Sequence, residues 1–549
     1  MKRIGCLFTG IFFFICTACF AQAKKAVQNH LTNEAKPKLV VGLVIDQMRW
    51  DYLYRYNKLY RSGGFKRILK EGYSCENTMI PYTPSYTAPG HTCIYTGSVP
   101  AIHGIVGNNW YNRKKDSIMY CTDDDTAHTV GSTTRAGKMS PANLWVSTIT
   151  DELRLSNNFK SKVIALALKD RGAILPAGHS GNAAYWYDDI AGRWITSTHY
   201  MPALPAWVNT FNAQDLPRKY MRTNWETLLP LNKYEESTAD NKMYEDVIMG
   251  DNSNVFPHRL SAIEAAMYQA FKVTPFAGTY TFDFAKAAVE NESLGKNKAQ
   301  VPDFLAVSIS ATDYIGHAFG PNSVEMEDTY LRLDKDIEDF LNWLDNKIGK
   351  GKYLFFLTAD HGAAHVPGFL AEHKMPGGTL DDLTIENNLN SLIEKQFGIS
   401  HAVAKVINYQ VYVHEKVTDQ KEAVINFIIN EIKKLDEVAS VVRLNELAAA
   451  VLPDPLKGRL TNGFTPLRSG DVQFIFKPGF FDGRIRGTTH GVWNPYDAHI
   501  PLLFFGWHIK PGKLYRETYM TDIAATLAAM LQVQMPNGCV GHVITELIK

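Results

Sequence analysis

Cysteine is scarce in this sequence, and what there is sits badly for binding metal. Of seven cysteines in 549 residues, Cys6, Cys16 and Cys19 lie close to the N-terminus, leaving Cys75, Cys93, Cys121 and Cys539. Their spacing matches no zinc–thiolate pattern, so a metal site here has to be built from histidine and carboxylate. Four thiols in an oxidising compartment lead to the expectation of one or two disulfides. An excess of either charge is also missing. Lys and Arg total 57 against 56 Asp and Glu, a formal net charge of +1, and loss of Lys2 and Arg3 with a leader would leave the chain near neutral. That balance gives no support for a nucleic-acid partner or a polybasic membrane surface. Beyond the N-terminus no run approaches the ~20 apolar residues of a spanning helix, so no stable membrane insertion is expected. No internal repeat or low-complexity tract is found. At 45% hydrophobic and 21% charged residues, the composition is that of a folded protein.

The first residues, MKRIGCLFTGIFFFICTACFAQA, have a basic start, an apolar run from Ile11 to Phe20 and small residues at Ala21 and Ala23. This is the layout of a secretory signal peptide cut after Ala23, and it implies a periplasmic or secreted protein. Cys19 is a candidate lipidation point. Cys16 stands where a leucine would be expected, so lipoprotein anchoring is not the reading adopted. A short linker, 24–37, would come next.

Several short apolar runs lie far apart: KLVVGLVI (38–45), KVIALAL (162–168), DFLAVSIS (303–310), YLFFLT (353–358) and IPLLFFG (500–506). Runs of this kind read as buried strands of a parallel sheet with helices between them. The predicted fold is therefore α/β: one catalytic domain over 38–549, with insertions at about 180–300 and 375–485. The second insertion reads strand, amphipathic helix, strand over NYQVYVHE, DQKEAVINFIINEIKKL and VASVVRL, a small α+β cap. The charged stretch 115–126 reads as a solvated loop.

Ligands of open α/β sheets collect at the carboxyl ends of the strands. The residues just past each apolar run are of one kind: Asp46 after the first, Asp313 and His317 after LAVSIS, Asp360 and His361 after LFFLT, with His490 in GTTHG ahead of the last run. Singly, each has an ordinary explanation. An Asp after a strand is usually a cap or turn residue, and Asp313 and His317, four apart on a helix, would simply bond each other. Together they are three carboxylates and three imidazoles at corresponding strand ends. Such a donor set suits zinc, with manganese or magnesium as lesser options, and is large enough for two ions. Two ions about 4 Å apart are a standard arrangement for in-line phosphoryl transfer.

A nucleophile for such a site lies in YTPSYTAPGHTCIYTG (82–97), which offers Thr83, Ser85, Thr87, Thr92 and Thr96. An alcohol activated by metal attacks best from a helix N-terminus, where backbone N–H groups face the substrate anion. A helix over about 90–95 puts Thr87 at its start and Thr92 and Thr96 inside it. Thr87 is the best placed, with the others still open on local grounds.

The pattern Thr87-x-Pro89-x-His91, Thr96-Gly97, Pro100, His103-Gly104-Ile105 resembles the nucleophile region of the alkaline phosphatase superfamily. It is closest to the nucleotide pyrophosphatase/phosphodiesterase and type I phosphodiesterase branch. ATDYIGHAFGP, TADHG and THG are similar to that superfamily's metal-binding motifs, in the same order. The resemblance covers the chain from about residue 38 onward. It implies an alkaline-phosphatase-like, mostly parallel sheet flanked by helices, and two Zn2+. Asp313, His317 and His490 would hold one ion; Asp46, Asp360, His361 and the Thr87 oxygen would hold the other. A sulfatase would need Cys or Ser in place of Thr87 and Arg in place of His91.

Monoester and diester hydrolysis differ in charge, since a monoester dianion rewards extra cations on its oxygens. Lys169 and Arg171, in ALALKDRG, are read as two residues of one strand end pointing to the same face. The alternative is a surface turn of local ion pairs around Asp170. The Lys-x-Arg pair resembles that of PafA-type alkaline phosphatases with a Thr nucleophile, and Asn108 matches their phosphate-contacting Asn, with Asn109 as its neighbour. The resemblance thus implies an exported alkaline phosphatase that hydrolyses small-molecule phosphate monoesters through phosphothreonine at Thr87; a monomer is one option that the sequence leaves open. A phosphodiesterase or nucleotide pyrophosphatase on the same scaffold is the alternative, and a non-catalytic binding protein a more distant one. His91, His103, His179, His365 and His499 are left outside the site.

Overall fold

The computed structural model describes residues 36–548; the expected signal peptide, 1–23, lies outside the described residues. From Lys38 onward the chain forms one compact unit. At its centre is a ten-stranded sheet, and five of its strands carry or flank the site: β1 (Leu39–Ile45), β2 (Val163–Ala167), β3 (Asp303–Ile309), β4 (Tyr353–Thr358) and β5 (Leu502–Gly506). Every residue of β1, β2, β3 and β4 is buried, as the unbroken apolar runs require of strands covered on both faces.

Across the sheet the order runs 512–514, 73–75, β5, β4, β1, β3, β2, 183–188, 193–197, 129–130. β4, β1, β3, β2 and 183–188 are mutually parallel. The run 500–506, expected to be parallel, instead pairs antiparallel with β4. It comes after the His490 loop, so the chain enters this strand from the edge where the site lies. The strands 183–188 and 193–197 extend the central sheet, so the segment from 180 does not begin as a separate insertion.

Three helices start at the carboxyl edge: α1 (Thr87–Thr96), α2 (Arg171–Ala177) and α3 (Ala311–Phe319). The cap is a four-stranded antiparallel sheet in the order 403–407, 410–413, 472–476, 438–443, with its own apolar core. The strand–helix–strand stretch is present as 410–413, Lys421–Ile432 and 438–443. Its two strands do not pair directly; 472–476 lies between them. No helix among the described residues is long and apolar enough to cross a membrane. The four described cysteines are free thiols, Cys75, Cys93 and Cys121 being buried, which corrects the expected disulfides.

Candidate active site

Register brings the strand ends level. Val44 of β1 lies opposite Thr358 of β4, and Ile45 opposite Ile309 of β3, so Asp46 and Asp360 come next at equal height with α3 beginning beside them. Ser308 lies opposite Ala167, which delivers Lys169 to the same edge. Asp313 and His317 share one face of α3, with His317 Nε2 3.2 Å from Asp313 Oδ1. His490 arrives from the loop before β5, with Nε2 3.7 Å from the same oxygen. One ligand atom each from Asp313, His317 and His490 fall within 4.8 Å of one another, as do those from Asp46, Asp313 and His361. Asp313 thus belongs to both triads. Asp360 joins through Oδ2, 3.5 Å from His361 Nε2.

The histidine tautomers are set by the backbone. His317 Nδ1 meets the Thr488 carbonyl at 2.8 Å, His361 Nδ1 that of Gly362 at 3.0 Å, and His490 Nδ1 that of Ser85 at 2.7 Å. A carbonyl oxygen only accepts, so each Nδ1 carries a proton and, in a neutral ring, Nε2 presents its lone pair. Those lone pairs face carboxylate oxygens. Asp46 Oδ1 and Asp360 Oδ2 are buried without a hydrogen-bond partner. Carbonyl-oriented imidazoles with buried carboxylates are the usual metal donor set. The residues present fit a metal.

Electrostatics agree. Burial, then the neighbouring Asp313 and Asp360, push the Asp46 carboxyl well above its ordinary range. Burial also pushes Asp313 up, but His317 and Lys169 outweigh it and hold that carboxyl well below. Burial and the adjacent His361 and His317 rings hold His490 well below the usual imidazole value. Within this cluster the fixed cation is Lys169, whose Nζ lies 2.7 Å from Asp46 Oδ2 and 2.5 Å from Asp313 Oδ2.

Thr87 is the first residue of α1, one turn earlier than expected, and fully buried. Its Oγ1 lies 3.4 Å from His361 Nε2 and 3.4 Å from Lys169 Nζ. Asn108 Oδ1 accepts the Ala88 N–H at 2.9 Å, so the asparagine is seated on the helix N-terminus beside Thr87. Gly90 permits this placement, because a Cβ there would come 2.6 Å from the Asp360 carbonyl oxygen. His91, expected outside the site, reaches the edge of the cluster: its Nδ1 lies 3.3 Å from Asp360 Oδ2 as well as 2.9 Å from the Thr87 carbonyl, and its Nε2 meets the Ser308 hydroxyl at 2.8 Å.

Lys169 and Arg171 are not on a strand. β2 ends at Ala167, and Arg171 opens α2. Nor is the segment a solvated turn, since Lys169 is 4% exposed. The two side chains diverge. Lys169 reaches Thr87, whereas one guanidinium nitrogen of Arg171 takes the Tyr120 hydroxyl oxygen at 2.9 Å and its buried Nε has no partner. Tyr120 in turn donates to Asp170 Oδ1 at 2.6 Å, and Thr122 to Asp170 Oδ2 at 2.8 Å.

Tyr120 and Thr122 come from the stretch read as a solvated loop. Residues 117–120 form a hairpin with 109–112, and Cys121 is buried beneath it. The alternation of apolar residues in SIMYC was the available signal. Gln47 was also missed: its Nε2 donates to Asp313 Oδ1 at 2.9 Å and its backbone N–H to Asp360 Oδ1 at 3.1 Å. Its place directly after Asp46 was the only hint. Asp497, fully buried, accepts the N–H groups of Gly491 and Val492 at 2.8 and 2.7 Å and so holds the His490 loop.

A sequence profile of the type I phosphodiesterase / nucleotide pyrophosphatase family matches residues 40–497. The alkaline phosphatase PhoV of Synechococcus elongatus is 50% identical over 557 residues, spanning all of both chains. A Myroides odoratus protein named calcium-transporting ATPase is 52% identical over 521 residues, 94% of this chain and 95% of that one. The alkaline phosphatase PafA of Elizabethkingia meningoseptica is 48% identical over 520 residues, 93% of this chain and 95% of its own. A crystal structure of alkaline phosphatase PafA superposes with a TM-score of 0.92 at 47% identity, covering 94% of this chain and all of that one.

Proposed function

This chain belongs to the type I phosphodiesterase / nucleotide pyrophosphatase family, and we propose that within it the protein is an exported, zinc-dependent alkaline phosphatase that hydrolyses phosphate monoesters. The observation that carries the proposal is Thr87. Its hydroxyl opens a helix and lies within 3.4 Å of both a histidine Nε2 and a buried ammonium, beside the buried carboxylates of Asp46, Asp313 and Asp360. The names of the PhoV and PafA relatives support the same reading.

Asp313, His317 and His490 would hold one zinc; Asp46, Asp360, His361 and the Thr87 oxygen the other. Nitrogen and oxygen donors without thiolate suit that ion. When bound, the two ions would lower the pKa of a coordinated hydroxyl or water and offset charge on the departing oxygen. The chain's own residues do the rest. Thr87 Oγ1 loses its proton to water and attacks phosphorus in line, forming a bond to phosphorus as the bond to the leaving oxygen breaks with its electron pair; that oxygen then takes a proton from water. The leaving oxygen departs on the side of Asp313, His317 and His490. Asn108, Lys169 and Arg171 hold the nonbridging oxygens; Arg171, with its Nε unsatisfied, has donors to spare for them. Water then attacks phospho-Thr87, releasing phosphate and returning a proton to Oγ1.

A dianion rewards extra positive charge more than a monoanion does, and Lys169 stands 3.4 Å from Thr87 Oγ1 with the unsatisfied Nε of Arg171 nearby in sequence, so the monoesterase is preferred over the diesterase reading that the family name also carries. The test compares an aryl phosphate with its methyl diester, on wild type, Lys169→Ala and Arg171→Ala. Faster diester turnover would reverse the assignment. Metal-free protein with no turnover on either substrate would favour a binding protein.

A further inference from the structure

The side from which Thr87 attacks decides where a leaving group goes. On the ligand scheme proposed above, with Thr87 Oγ1 beside His361, in-line displacement sends the departing oxygen toward Asp313, His317 and His490. The segment 482–487, Asp-Gly-Arg-Ile-Arg-Gly, is anchored on that side. Gly487 has φ of 71°, and a Cβ there would come 2.1 Å from the His317 carbonyl oxygen. Its N–H donates to the Tyr244 carbonyl at 2.9 Å, and the Thr488 N–H to the His317 carbonyl at 3.0 Å. The Thr488 carbonyl takes the His317 Nδ1 proton, and two residues later comes His490. The backbone from 487 to 490 is therefore clamped against the leaving-group side of the site.

Just before that clamp the chain turns outward. Arg484, Ile485 and Arg486 are all exposed, Ile485 at 78%. Among the described residues neither guanidinium has an ion-pair or hydrogen-bond partner. Other arginines and lysines around the site are matched: Arg49 and Arg55 with Asp51, Lys242 with Glu372. Two uncommitted arginines two residues apart, tethered beside the exit of the leaving oxygen, suit a second phosphate at the far end of a departing alcohol. Arginine binds phosphate oxygens bidentately, and an exposed isoleucine between them offers a surface for the carbon skeleton.

We propose that Arg484 and Arg486 form a leaving-group subsite for bisphosphorylated substrates, that is, monoesters whose leaving alcohol carries another phosphate. The proposal rests on the phosphate-monoesterase reading. The chemistry is unchanged. The Thr87 Oγ1–P bond forms as the hydroxyl proton passes to water, the P–O bond to the leaving group breaks with its electron pair, and the resulting alkoxide takes a proton from water. Only the recognition of the departing piece is new.

The test uses the full metal-loaded protein and a matched pair of substrates, fructose 1,6-bisphosphate and fructose 6-phosphate. In the R484A/R486A double variant, kcat/KM on the bisphosphate should fall about tenfold, and on the monophosphate less than about twofold, as expected for rim charges that steer an anion. The R484K/R486K variant should keep most of the preference, and added salt should erase it in wild type. Equal changes on both substrates, or none, would overturn the subsite. If wild type turned over neither sugar phosphate nor an aryl phosphate, the monoesterase reading itself would fail. Calorimetry of fructose 1,6-bisphosphate on Thr87→Ala reports the subsite without turnover: affinity weakened about tenfold by R484A/R486A supports it, and unchanged affinity overturns it.

Discussion

Two of the places where the molecule buries charge contain histidines, and those histidines are wired in opposite ways. At the sheet edge, His317, His361 and His490 each spend Nδ1 on a backbone carbonyl and turn Nε2 toward carboxylates. Farther out, His258 puts both ring nitrogens on carboxylates, Nε2 3.0 Å from Glu325 and Nδ1 3.3 Å from Asp251. Burial pushes the His258 imidazole down, but those two partners outweigh it and raise its pKa to about 9. His258 therefore supplies its own positive charge as an imidazolium and pins the 251–258 loop to the helix Val324–Leu344. The sheet edge instead gathers Asp46, Asp313 and Asp360 with three carbonyl-oriented imidazoles around Lys169, a donor set suited to a metal. Buried Asp–His clusters that look alike in composition are told apart by where Nδ1 points.

The sharpest test of that contrast is Thr87→Ala. Turnover should fall by roughly 10³-fold or more, with no phosphate label trapped on the protein, while the fold and the His258 cluster stay intact. Wild-type turnover in this variant would break the assignment. Chelation should come next: activity lost, the melting temperature lowered, and both restored by zinc. A chelator that left both unchanged would show that the sheet edge neutralises itself as His258 does.

Lys169→Ala should lower monoester turnover by roughly 10²-fold and diester turnover by less, measured as kcat/KM on an aryl pair. Smaller still is Tyr120→Phe. It removes the hydroxyl between Asp170 and Arg171, and about a three- to tenfold loss is expected, the scale of one hydrogen bond. The loss should fall on monoesters, with the monoester/diester ratio as the readout.

His258→Gln should leave turnover nearly unchanged but cost about 3 kcal/mol of stability, as breaking a buried ion pair does. The sign of its pH dependence comes from a raised pKa. The wild-type stabilisation is complete below about 6.5, the unfolded value, and is lost as pH rises through about 9. Denaturant unfolding at pH 6 and pH 10 should thus show the variant's deficit shrinking at the higher pH. A deficit equal at both would mean that His258 is neutral in the folded protein.

Much of the site was legible because parallel strands end at one edge. Asp46, Asp313 and Asp360 each come after an apolar run, and no tertiary knowledge is needed to see that such runs deliver the next residues to a shared place. Lys169 and Arg171 were misread in geometry. The strand stops two residues before Lys169, so period-two alternation does not apply, and the two side chains part. Tyr120 was passed over because 115–126 carries five charged residues and one hairpin of weak alternation. Its meaning depends on Asp170, fifty residues away. The antiparallel entry of β5 was also illegible, since an apolar run has no direction.

Residue type and local periodicity were enough to set the chemistry on offer: carboxylates, imidazoles, one hydroxyl at a helix start, two cations after a buried strand, and no thiolate to compete. How each group is spent was left to the packing of distant segments. The Nδ1 of His490 lies against Ser85, that of His317 against Thr488, and both nitrogens of His258 against acids. Which partner a ring nitrogen meets depends on chain segments brought together across as many as about four hundred residues, and that choice fixes whether a buried histidine holds a proton or offers a lone pair.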